Sequence, residues 1–153
     1  MDKIDRMILR ELQRDGRMAN ADLAAKVGLT PTPCLRRVRN LEKIGAIRGY
    51  RAELDGNFLD SGFHAFATVA MKHDNRATMT EFEARITELP QVIESHRLFG
   101  DPDYLLRIAV ADIAAYERFY TEVLCALPGI NKLTSHMTMK EVKAHRGFLA
   151  GLE

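Results

Sequence analysis

Several things are scarce in this chain of 153 residues, and each scarcity removes a class of protein. There are two cysteines, Cys34 and Cys125, far apart and without metal-ligand spacing, which leaves neither a disulfide framework nor a zinc site and points to two reduced thiols. No apolar run approaches the roughly 20 residues that a membrane-spanning helix needs. The opening Met1-Asp2-Lys3-Ile4-Asp5 lacks the basic segment and apolar block of a secretory leader, so a cytoplasmic location, close to the nucleoid, is expected and no membrane partner. The histidines His64, His73, His96, His136 and His145 are scattered without H-x-x-x-H or Cys pairing, so no metal is expected. No Ser, Cys or His accompanies a carboxylate at a catalytic spacing, and no glycine loop cradles phosphate; an enzyme is not expected and no cofactor is implied.

What is present is an ordinary soluble composition, 46% hydrophobic and 28% charged, with a charge distribution that its total of +1 conceals. From Thr30 to Arg51 stand Arg36, Arg37, Arg39, Lys43, Arg48 and Arg51 against Glu42 alone. That stretch carries +5 and leaves −4 for the rest, the footprint of polyanion binding on an otherwise acidic protein.

The first third reads as three helices. Asp2 caps the first, whose apolar stripe is Ile4, Ile8, Leu9 and Leu12 and which Asp15-Gly16 ends. Asn20 starts a short second helix closed by Gly28 in a left-handed conformation. Thr30 with Pro31, or Thr32 with Pro33, opens the third, because a first turn tolerates proline. Two short helices joined by a tight glycine turn, with a preceding helix to complete the core, predict a helix-turn-helix over about 20–44. On the third helix Leu35, Val38 and Leu41 are expected to be buried. Thr32, Arg36, Arg39, Asn40 and Lys43 are expected on the outer side, with chemistry suited to base edges and phosphates of double-stranded DNA. Ala46 to Leu54 is β-prone, and its Arg48 and Arg51 suit flanking phosphates.

Gly56 to Gly62 is turn-rich and serves as a linker, giving one domain over 2–61 and a second over 62–153. In the second, Phe63–His73 reads as a strand and Met79, Phe82, Ile86 and Leu89 as one face of a helix that Pro90 ends. Val92–Phe99 and Tyr104–Ala111 read as strands about the turn Gly100-Asp101-Pro102-Asp103. Asp112 caps a helix with Tyr116, Phe119, Tyr120, Val123 and Leu127 inward, and Ile130–Val142 is a last long strand. The order βαββαβ is a ferredoxin-like α+β sandwich whose sheet has one uncovered face, which predicts a homodimer.

The runs Asn20-Ala21-Asp22-Leu23, Val27-Gly28-Leu29-Thr30-Pro31-Thr32-Pro33-Cys34-Leu35-Arg36-Arg37-Val38 and Ile47-Arg48-Gly49-Tyr50 resemble the leucine-responsive regulatory protein/AsnC (feast/famine) family of transcription regulators. The resemblance implies a winged helix-turn-helix followed by a ligand-sensing domain of the RAM type, dimers that assemble into octamers or larger rings, and a small-molecule effector, an amino acid. By residue type alone, Gly100-Asp101-Pro102-Asp103-Tyr104 is either an ordinary hairpin turn or a loop whose carboxylates hold an ammonium and whose backbone N–H groups hold a carboxylate. The resemblance implies the second, because the family's effector loop has the pattern Gly-Asp-x-Asp-Tyr at this place. It also brings in the last strand of a neighbouring subunit, which maps onto His136, Met137 and Thr138. The expected DNA-binding residues are Thr30, Thr32, Arg36, Arg37, Arg39, Asn40, Lys43 and Arg48; the expected effector residues are Gly100, Asp101, Asp103, Tyr104, His136, Met137 and Thr138. The alternative is a ligand-independent architectural protein of the nucleoid, against which the confinement of basic residues to one region argues.

Overall fold

The computed structural model of the chain describes residues 1–72, 75–144 and 147–148; His73 and His145 lie outside them. The chain divides into two compact units. One comprises Met1–Glu53 with the described residues from Val142 on, the other Leu54–Glu141.

In the first unit, α1 (Lys3–Arg14) begins with a reciprocal cap: the Asp2 carboxylate accepts from the Asp5 backbone N–H, and the Asp5 carboxylate accepts from that of Asp2. Ile8 is the fully buried member of its apolar stripe. α2 (Asn20–Lys26) starts one residue earlier than expected, after Ala19, so Asn20 is helical and not a cap. Its side chain is used otherwise: Nδ2 donates to the carbonyl of Pro31 at 2.9 Å, fastening the start of α2 to the start of α3 (Pro31–Lys43). Gly28, at φ +70°, makes the left-handed turn between the two, and Thr30 stands at the cap with Pro31 as the first helical residue.

The buried stripe of α3 is Cys34, Val38 and Leu41, not the expected Leu35, Val38 and Leu41. Leu35 is 39% exposed, because one residue of helix is about 100° of rotation and the core is centred on the line through Cys34. Burial pushes the Cys34 thiol up from its ordinary pKa, consistent with a small core hydrophobe. After α3, Gly45 and Ile47 turn the chain back, Ile47 packing on the core while its N–H bonds Leu41 O. The β-prone segment that follows forms no ladder, since no strand lies beside it among the described residues of the unit.

The second unit opens with a single tight turn, Gly56–Phe58, closed by the Ser61 N–H on Gly56 O. A side chain at Gly56 would strike the Ser61 carbonyl, so the expected linker is a packed turn and the units part at Leu54, ahead of Ser61. Then come β1 (Phe63–Met71), α4 (Arg76–Thr87), β2 (Val92–Arg97), β3 (Tyr104–Val110), α5 (Ile113–Glu122) and β4 (Ile130–Met137). The strands form one antiparallel sheet in the order β2-β3-β1-β4. Asn75 and Asp112 cap the helices through their side chains. Alternation puts Ala65, Ala67 and Val69 of β1 and Tyr104, Leu106 and Ile108 of β3 in the core with Phe82, Ile86, Tyr116 and Phe119 of the helices.

Five expected elements are shorter. β2 ends at Arg97 and not Phe99, and β3 ends at Val110 and not Ala111. β1 ends at Met71. β4 ends at Met137 and not Val142, because its partner β1 begins at Phe63 and the Thr138 N–H takes His64 O as the last available acceptor. The helix expected to run to Leu127 stops at Glu122, and a separate turn, Leu124–Ala126, buries Leu124 in the core.

Phe82 is fully buried with its ring 4.7 Å from that of Tyr104. Phe82→Ala is expected to lower stability by about 3–5 kcal/mol, read as a shifted urea midpoint, whereas truncating exposed Phe58 should shift it by under about 0.5 kcal/mol.

Candidate DNA-reading face and effector loop

Along α3, Thr32, Arg36, Arg39 and Lys43 follow one another at intervals of four, three and four, so they fall within about 60° of one another opposite the buried stripe. All four are exposed, Asn40 stands exposed at the margin of this line, and Thr30 and Arg48 are exposed at either end of the helix region. Arg36, Arg39 and Lys43 have no carboxylate partner among the described residues. Three cations held on a rigid helix with nothing inside the protein to neutralise them are a ready surface for phosphate and base edges.

Arg37, expected among the DNA-binding residues, lies off that line on the flank of the helix. Its Nη1 donates to Asp2 Oδ2 and to Asp5 Oδ1, each at 2.8 Å, across to the start of α1. The hydrogen bond that Arg37 donates to Asp5, and then the one it donates to Asp2, raise its pKa above the ordinary value. The Asp2 carboxyl is held below its ordinary value by the Asp5 backbone N–H first and by Arg37 second. Arg37 is therefore a tie between α1 and α3. The two acids at the start of α1 do not signal it in the sequence, because the reciprocal cap already accounts for both.

The loop Gly100–Asp103, expected to hold the effector, hangs from the sheet by Asp103. Its N–H donates to Val69 O at 2.9 Å, its carbonyl accepts from Leu98 N–H, and its carboxylate Oδ2 accepts from Met71 N–H at 2.7 Å. One of the two expected carboxylates is thus already holding the end of β1. Asp101 is exposed and has no partner among the described residues, and a side chain at Gly100, at φ +122°, would meet open space. Tyr104 belongs to the core: it is buried, its ring packs at a tilt of 46° against that of Phe82, and its hydroxyl donates to Glu83 Oε1 at 2.8 Å. Glu83 in turn lies 3.7 Å from Arg97, which also donates to Met79 Sδ. Spacing alone does not single out Glu83 from Glu81, the other exposed acid on α4.

His136, Met137 and Thr138 stand at the other end of the sheet. Thr138 N–H bonds His64 O while Asp103 N–H bonds Val69 O, five residues along β1 and so roughly 16 Å apart. Within one chain the two halves of the expected effector site do not meet. Among the described residues no cluster of metal-ligating side chains occurs, and no helix is long and apolar enough to cross a membrane.

An outward cationic reading helix in a helix-turn-helix, followed by an α+β sandwich with an open loop, defines a DNA-binding regulator with a ligand-binding domain. Two family models agree: "winged helix-turn-helix DNA-binding" matches residues 1–48 and "Lrp/AsnC ligand binding domain" matches 64–148. The leucine-responsive regulatory protein of Salmonella typhimurium is 43% identical over 94% of this chain and 87% of its own length, and that of Escherichia coli K12 is 42% identical over the same shares. Among solved structures, an AsnC family transcriptional regulator from Agrobacterium tumefaciens superposes with TM-score 0.91 at 38% identity, covering 97% of this chain and 96% of that one. A transcriptional regulator of Neisseria meningitidis in complex with L-Met superposes at 0.89 with 34% identity, covering 94% and 93%. The chain belongs to the Lrp/AsnC family of transcription regulators. It is a regulator and not an enzyme.

Two measurements probe the ties made by Arg37 and Tyr104. Arg37→Ala is expected to lower the urea midpoint, since it leaves Asp2 and Asp5 without their cation, while Arg36→Ala leaves it unchanged. Burial, followed by the hydrogen bond to Glu83, pushes the Tyr104 pKa up to about 12. The folded state thus holds its phenolic proton through a range in which an unfolded tyrosine, near 10, has lost it. The stabilisation is full below about pH 10 and is lost as the pH rises towards 12. Tyr50, Tyr116 and Tyr120 shift in the same direction. Unfolding free energy should fall between about pH 10 and 11, and the fall should be smaller in Tyr104→Phe.

Proposed function

We propose that this chain works as a cytoplasmic homo-oligomer whose paired helix-turn-helix heads read a pseudo-palindromic operator and whose assembly responds to an amino acid bound between neighbouring chains. The uncompensated line Thr32, Arg36, Arg39 and Lys43 on α3 carries the reading of DNA. Asn40 adds base-edge capacity beside it, Thr30 and Arg48 meet flanking phosphates, and Arg37 positions the helix without touching DNA. The amino-acid effector is supported by the L-Met bound to the meningococcal relative and by the free Asp101 carboxylate beside an unobstructed Gly100. A neighbour is needed because the loop and His136–Thr138 are separated by three to five residues of β1, roughly 10–16 Å, on one chain. The uncovered sheet face, with half-exposed Phe66 and Thr68 between His64 and Leu105, gives that neighbour an apolar-centred surface to cover. A ligand-binding model spanning the second unit favours this reading over a ligand-independent architectural protein.

Double substitution Arg36→Ala/Arg39→Ala should reduce affinity for a selected operator at least about tenfold with the oligomer size and urea midpoint unchanged; unaltered affinity would remove α3 from the reading role. For the effector, melting curves with each of the common amino acids should show a raised Tm with at least one, by mass action on the folded state. Asp101→Ala should abolish that rise. A rise that persists in Asp101→Ala places the ligand elsewhere, and no rise with any amino acid returns the protein to the ligand-independent class.

A further inference from the structure

One acid stands inside the basic stretch of the first unit. Glu42 lies among Arg36, Arg37, Arg39, Lys43, Arg48 and Arg51, yet among the described residues it forms an ion pair with none of them. Its Oε1 accepts instead from the hydroxyl of Tyr50 at 3.0 Å. Taking about 100° per residue, Glu42 stands about 90° round α3 from the line of Thr32, Arg36, Arg39 and Lys43, on the side opposite to Arg37. It is three residues from Arg39, the spacing at which helix side chains of opposite charge meet. Tyr50 reaches it because the chain after α3 is fixed at two points. Ile47 packs on the core with its N–H on Leu41 O, which turns the segment back along the end of α3. The Tyr50 ring then lies against the turn after α1, its Cδ1 3.4 Å from where a side chain at Gly16 would begin. Burial, and after it the hydrogen bond to Glu42, push the Tyr50 pKa up, so the phenol is a donor at neutral pH.

We infer that Tyr50 is a positioning residue for DNA reading: its hydroxyl holds the Glu42 carboxylate away from Arg39, so that Arg39 keeps its guanidinium for DNA. The inference rests on the proposed role of the α3 line as the reading face. Without the phenol, the Glu42 carboxylate is free to swing onto Arg39 across one turn of helix, where it competes with phosphate and base edges for the same donors. It also brings a negative charge to the side that faces the duplex. The two margins of the reading line are then cleared by two ties of opposite sign: Asp2 and Asp5 draw Arg37 to one flank, and Tyr50 draws the one acid of α3 to the other.

A double-mutant cycle on operator affinity tests it in the full-length protein. Tyr50→Phe keeps the ring against Gly16 and removes only the hydroxyl. It is expected to weaken binding of a selected operator about threefold and to lower the slope of log affinity against log salt by up to about 0.9, the worth of one phosphate contact. Glu42→Gln should recover that loss, so that its gain in affinity is about threefold larger in the Tyr50→Phe background than in the native chain. Added to Arg39→Ala, Tyr50→Phe should cost nothing further. Operator affinity unaltered by Arg36→Ala/Arg39→Ala removes the reading role of α3 itself, and with it this inference. With that role intact, three results overturn the inference alone. The first is native affinity in Tyr50→Phe. The second is an equal gain from Glu42→Gln in both backgrounds, which leaves Tyr50 a support of the fold and nothing more. The third is an undiminished loss when Tyr50→Phe is added to Arg39→Ala, which routes the effect past Arg39.

Discussion

A helix that reads DNA has to give one side to a core and keep the opposite side free of internal partners, and in α3 the guanidinium of Arg37 keeps these demands apart. Four cations and one acid crowd thirteen residues, so the helix needs a rule for which charges turn inward. Asp2 and Asp5 supply it. Both carboxylates serve the start of α1 by accepting its first backbone N–H groups and serve α3 by taking the one arginine on its flank. With that arginine engaged, the core centres on Cys34, Val38 and Leu41, and Arg36, Arg39 and Lys43 are carried to the far side. Because the pair is open to water its energy is modest, and its value lies in fixing a rotation.

A comparable constraint in the second unit is the register of β1, the strand with neighbours on both sides. Asp103 is tied to its far end by two hydrogen bonds, and β4 stops where β1 starts. These contacts fix the separation between the effector loop and the end of β4 without any contribution from ligand. The loop's second carboxylate, Asp101, is left open for that reason: Asp103 holds the hinge of the turn.

Most of the fold is readable because its signals are local. Asp2 and Asp112 cap through short side chains, Gly28 marks a left-handed turn, and alternation along Phe63–Met71 and Tyr104–Val110 separates core from open face. What local pattern misses depends on partners distant in sequence. Asn20 has the residue type of a cap but finds Pro31 eleven residues on, Leu35 is displaced from the core by Cys34, and the chain after Met137 loses its strand character where β1 begins. The exposed cationic line of α3 was legible from spacing; the engagement of Arg37 was not, because its acids lie more than thirty residues away. At the effector loop the motif was legible but the division of labour within it was not, since only the pairing of β3 with β1 reveals that Asp103 and Tyr104 have inward commitments.

That division bears on how a small ligand would gain leverage over DNA. A ligand held entirely by one chain shifts only the stability of that chain, whereas one whose contacts come from two chains is bound in proportion to how many pairs exist and so stabilises the pair by mass action. On the proposed reading, the roughly 10–16 Å along β1 between the loop and His136–Thr138 is what makes the second chain necessary. The distance is set by a rigid central strand and is not adjustable by loop movement. Coupling between effector and assembly then follows from strand register, before any change of shape is invoked, and the DNA heads respond because the assembly determines how many of them meet one operator at once.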